Sequence, residues 1–84
     1  MRTGVQFTAS IEQSAQRRWF SPNWPAASQV VWSIIPTNVR SGAAQLEWTI
    51  AVERSSAETC TYWITVKNLT ATTVTFEGRY AVLN

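Results

Sequence analysis

The residues that usually carry enzyme chemistry are scarce. The chain has 84 residues, no His and no Asp, so its acids are five Glu. A Ser-His-Asp or Cys-His arrangement needs an imidazole base, and none exists. No cluster of Cys, His and carboxylates has the spacing of a zinc site, and no Gly-rich segment reads as a phosphate cradle. Glu47 and Glu53 fall on one face of one strand, six residues apart. At about 3.4 Å per residue they are roughly 20 Å apart, too far for the paired carboxylates of glycoside hydrolysis. The expectation is a protein that is not an enzyme and holds no cofactor and no metal.

What remains is aromatic. Tryptophan occurs five times, at 19, 24, 32, 48 and 63. Trp48 alternates with Leu46, Ile50 and Val52 and reads as core. Trp63 shares its face with Thr61, Thr65 and Lys67, which look solvated. It is an exposed ring, or the face assignment is inverted. Trp24 sits in Asn23-Trp24-Pro25, read as an irregular loop because Pro25 disfavours helical geometry before it. Trp63 and Trp24 are therefore ligand-stacking candidates, with Asn23, Glu77 and Arg79 as hydrogen-bonding partners for a sugar. Glu77 and Arg79 share a face, which also suits a cross-strand ion pair. Trp19 and Phe20 point in opposite directions, so one is core and the other packs at an interface.

Nucleic acid is a weaker fit. Arg17 and Arg18 beside Trp19 combine charge and stacking. The other basic residues are scattered, and the net charge is only +2. The two arginines fit ion pairs with Glu12, Glu53 or Glu77. The single cysteine, Cys60, has no internal disulfide partner and reads as a small core residue. Asn68-Leu69-Thr70 matches the glycosylation acceptor pattern, yet Asn and Thr are also turn formers.

These side chains must be positioned by strands. Apolar residues recur with a period of two over residues 5–11, 46–53, 60–67 and 74–82. Arg17–Phe20 forms a short strand ended at Ser21-Pro22-Asn23. Gln29–Ile35 forms a strand with apolar residues on both faces, Val30, Trp32 and Ile34 against Val31 and Ile35. That strand is central in a closed structure, or its outer face meets another subunit. Val31, Ile35 and Trp19 are thus interface candidates. The final run to Asn84 reads as an edge strand open to a neighbour.

The expected architecture is all-β, a single domain over 1–84. It is a small antiparallel β-sandwich or closed β-barrel of six to seven strands, with short turns favouring a meander. Surface scaling gives roughly 5,000 Å² exposed when folded, a thin core. No 18-residue apolar run suggests a membrane helix. The N-terminus shows no apolar signal segment, and secreted and cytoplasmic settings both fit. The functional expectation is a binding module that self-assembles into a homo-oligomer. A lectin-like carbohydrate-binding module and a structural accessory domain of a larger secreted protein are the alternatives.

Overall fold

The computed structural model describes all residues, Met1–Asn84. It contains six strands and no helix: β1 (Arg2–Ile11), β2 (Gln16–Pro25), β3 (Val30–Pro36), β4 (Leu46–Glu53), β5 (Thr59–Asn68) and β6 (Val74–Val82). They form two three-stranded sheets, ordered β1-β6-β3 and β2-β5-β4. Every pairing is antiparallel. The sheets do not join into a barrel. No helix is long and apolar enough to cross a membrane.

The wiring is not a meander. Only β4 and β5 are joined as a hairpin, and the other four connections pass from one sheet to the other. The C-terminal strand β6 is the centre of its sheet rather than an edge, paired with β1 on one side and β3 on the other. Its alternation explains the position. Val74, Phe76 and Val82 are buried with Gly78 between them.

Aromatic rings from the two sheets meet in the core. At one end Phe76 lies edge-on to Trp19 at 5.3 Å and to Phe7 at 6.0 Å. At the other end Trp24 meets Trp32 edge-on at 5.7 Å and Tyr80 at 5.2 Å, with Tyr62 alongside. Ile34 and Ile64 are also fully buried. Edge-to-face geometry sets the positive ring edge against the negative ring face. Trp32 Nε1 is buried in this cluster without an acceptor.

Two glycines make room for these rings. A Cβ on Gly78 would lie 2.7 Å from Phe7 Cδ1, and one on Gly4 would lie 2.7 Å from the Tyr80 hydroxyl. Phe7 is the cross-strand neighbour of Gly78, and Tyr80 that of Gly4. In each pair the ring covers the glycine opposite, which repairs the packing that a missing side chain leaves.

Two bulges redirect side chains. Between Ser21 and Trp24 the β2 register shifts, and Asn23 adopts φ 65°. Asn tolerates this left-handed region better than most residues. Pro22 costs no ladder bond because β2 is an edge strand. The strand therefore continues past Ser21-Pro22-Asn23 instead of stopping. Trp24 swings inward to 8% exposure, its Nε1 donating to Ser21 Oγ at 2.9 Å. This corrects the reading of Trp24 as an exposed loop residue. A second bulge at Gln6 turns Val5 to the outer face, opposite Arg79. Alternation alone groups Val5 with Phe7, Ala9 and Ile11.

Asn68 ties the loops together. It is 1% exposed at the end of β5. Its amide nitrogen donates to the carbonyls of Ile11, Glu12 and Thr72 at 2.8–3.0 Å. Its Oδ1 accepts from the backbone and the hydroxyl of Thr70, both at 2.8 Å. The acceptor pattern at Asn68 is thus a buried structural node in the folded chain. Replacing Asn68 by Ala leaves buried carbonyls unpaired, and we expect a loss of about 2–4 kcal/mol in urea unfolding. A loss below about 1 kcal/mol would mean that the node is not needed.

Tyr62 supplies a pH response. Burial raises its phenol above the usual tyrosine range, and the nearby Cys60 thiolate adds to the shift. The unfolded chain then loses that proton first as pH rises. Its contribution is fully present below about pH 10, the ordinary tyrosine value, and is lost above it. Tyr62→Phe should blunt the fall of Tm between pH 9 and 11 in a thermal melt series. Equal slopes in both proteins would show that other groups govern alkaline unfolding.

Candidate functional site

The outer face of the β2-β5-β4 sheet carries the clearest surface feature. Cross-strand register arranges it in rows. Phe20, Trp63 and Ala51 form one row, Arg18, Thr65 and Thr49 the next, and Gln16, Lys67 and Glu47 the third. Phe20 is 62% exposed, and its ring centroid is 5.4 Å from that of half-buried Trp63 at 34°. The Arg18 guanidinium carbon lies 5.2 Å from the Trp63 ring centroid. Trp63 Nε1 donates to Glu53 Oε1 at 2.9 Å, which fixes both groups.

The alternation of β5 places Trp63 here. Tyr62, Ile64 and Val66 face the core, so Trp63 faces outward beside Thr65. Thr61 on the same face is not solvated as its alternation suggests but buried, with Ser55 beside its hydroxyl. Phe20 follows for the same reason, because its neighbour Trp19 packs inward against Phe7 and Phe76. Of that adjacent pair Trp19 is the core residue and Phe20 the outer one. The sequence signal for Phe20 is the adjacency itself, which demands that one ring leave the core.

Beside the two rings the surface turns polar. A groove of about 220 Å³ is lined by Gln16, Glu47, Trp48, Thr49, Thr65 and Lys67. Arg18 and Lys67 on this face are balanced by Glu47 and Glu53. A face with this balance offers hydrogen bonds of both senses without a net field.

The other sequence candidates do not join Trp63. Glu77 and Arg79 lie on the outer face of the β1-β6-β3 sheet, across the core. They pair within one strand, Arg79 Nε to Glu77 Oε1 at 2.9 Å, rather than across strands. Val31 is 52% exposed on the same face, and Ile35 lies opposite Glu77. Arg79 and Val31, with Thr3, Val5 and Ser33, line a shallow depression of about 370 Å³. Asn23 is exposed at the β2 bulge, but its neighbour Trp24 is buried. Arg17 pairs with Glu12 at 2.7 Å, which leaves Arg18 as the basic group beside the rings. Cys60 is half-buried.

Trp48 departs from its expected place. It shares the inner side of its sheet with Ile50 and Val52, as the alternation implies, yet it remains 37% exposed. The β3 strand of the other sheet does not cover it. Comparison of the chain with protein-family models, with curated proteins and with solved structures finds no match.

If the Phe20–Trp63 pair serves a ligand and not the fold, removing the exposed ring should cost little. Phe20→Ala is expected to lower stability by about 0.5–1 kcal/mol, the worth of an exposed aromatic pair. Chemical denaturation checks this. A loss above about 3 kcal/mol would make Phe20 a structural residue.

Proposed function

We propose that this chain is a non-enzymatic binding module, a small β-sandwich whose outer β2-β5-β4 face binds neutral carbohydrate. The observation that carries the reading is the Phe20–Trp63 pair on an otherwise polar face. A pyranose ring has an apolar C–H side that stacks on aromatic carbon. Its hydroxyls need both donors and acceptors at the rim. Arg18 supplies planar donors, Glu53 keeps Oε2 free as an acceptor, and Thr49 and Thr65 offer hydroxyls.

The balanced charge favours a neutral sugar over a polyanion. A nucleic-acid surface concentrates positive charge, whereas Glu47 and Glu53 offset Arg18 and Lys67 here. The groove next to the rings gives a glycan a second, polar contact region. Two rings and a shallow groove fit weak single-site binding, which gains strength through multivalency.

The test is a broad glycan array, followed by titration of tryptophan fluorescence. Selective binding to one glycan class is expected. Trp63→Ala and Phe20→Ala should each weaken it at least tenfold, about 1.4 kcal/mol, with unchanged circular dichroism. Absence of binding from a folded sample, or binding untouched by both substitutions, would overturn the proposal.

A further inference from the structure

The free edge of β4 is unlike the other three edges in the molecule. β2 carries Pro22, Pro25 and a bulge, and it adds Arg17 and Arg18. β1 is broken by the bulge at Gln6, and β3 ends on Pro36. Prolines, bulges and charged side chains, lysine above all, are the usual guards against strand pairing. β4, Leu-Glu-Trp-Thr-Ile-Ala-Val-Glu, has no proline, no bulge and no basic residue, and its two charges, Glu47 and Glu53, lie toward its ends. Its register with β5 is unbroken from Leu46 to Glu53.

This edge also carries uncovered apolar surface. Trp48, Ile50 and Val52 face the side of the sheet that elsewhere holds the core, and they are 37%, 39% and 63% exposed. They adjoin one another on one strand, and the largest contiguous apolar patch of a soluble protein is often functional. Backbone groups and side chains thus lack a partner at the same strand.

We propose that the missing partner is a second copy of this chain, paired antiparallel through β4 about a twofold axis at Thr49. Directly opposite residues in an antiparallel pair share a face. With Thr49 on the axis, Trp48 stands opposite the partner's Ile50. Leu46 stands opposite the partner's Val52. Every apolar side chain on the inner face of the strand meets an apolar one. Glu47 meets the partner's Ala51, and Glu53 meets the partner's Gln45, so no like charges oppose each other.

Moving the axis to Ile50 would set Glu47 against the partner's Glu53, two acids face to face. Moving it by an odd half-step would turn the partner's apolar face outward. Of the same-face registers, the axis at Thr49 is the one that pairs Leu46, Trp48, Ile50 and Val52 all within the strand. The product is a continuous six-stranded sheet, β2-β5-β4 of one protomer joined to β4-β5-β2 of the other. Such a contact is isologous and closes on itself. Its apolar contacts lie on the face opposite the Phe20–Trp63 rings, while Glu47 and Thr49 border both the seam and the groove.

Light scattering across micromolar to millimolar protein tests the association. The expected mass is twice the 9.4 kDa of the chain. Ile50→Lys should give a monomer with unchanged circular dichroism, because this side chain is solvent-exposed in the single chain. Register is read by cross-linking in a Cys60→Ser background. Thr49→Cys should form an intermolecular disulfide under mild oxidation, and Ala51→Cys should not. A monomer at every concentration would overturn the proposal. So would a dimer that survives Ile50→Lys and does not cross-link through Thr49→Cys.

Discussion

The contact of Trp24 with Trp32 and Tyr80 is the joint on which the two sheets depend. Each sheet has one central strand and two edges, so hydrogen bonding holds three strands and stops there. Nothing in the backbone ladder links one sheet to the other. The link is the burial of rings and aliphatic side chains between them, and an 84-residue chain has few of either to bury. Hence the rings must interlock closely. The bulge at Pro22–Asn23 turns Trp24 inward, Ser21 takes its indole proton, and glycines at 4 and 78 yield space to Tyr80 and Phe7. Losing any of these steps would loosen the same layer.

The same economy shapes the surface. A three-stranded sheet is wide enough to cover the centre of its neighbour but leaves the rim of β4 bare. On the far side of that sheet, β5 must direct every second residue outward, and Trp63 is one of them. A second aromatic from β2 lands beside it because Trp19 takes the inward place. The exposed ring pair and the bare strand rim therefore share one origin, a small layered fold with more aromatic residues than its core can enclose.

Period-two alternation located all six strands, but it set the faces only where a strand has no bulge, and it cut β2 short at Phe20. β5 is the clearest case, since Tyr62, Ile64 and Val66 identify the inner side and leave Trp63 outside. Alternation says which way a side chain points, however, and not whether another layer lies over it. That is why Trp48 reads as core and is half bare. It also assumes an unbroken strand, so each bulge exchanges the two faces across it: Val5 moves outward and Trp24 inward. Sheet wiring is a long-range property that short turns do not encode, so β6 could not be placed at a centre from its terminal position. The pairing of Phe20 with Trp63 depends on the register of β2 against β5, which no local pattern specifies.

The wiring also bears on how the chain folds. Only the β4–β5 pairing is local in sequence; every other pairing must wait for distant segments to meet. Loop closure favours the local hairpin first, and topologies built on distant pairings form slowly. The earliest structured element is thus the one with the unguarded apolar edge. During that interval β4 meets other unfinished chains before β3 and β6 arrive. Refolding yield should then depend on protein concentration, through encounters between hairpins rather than between finished molecules.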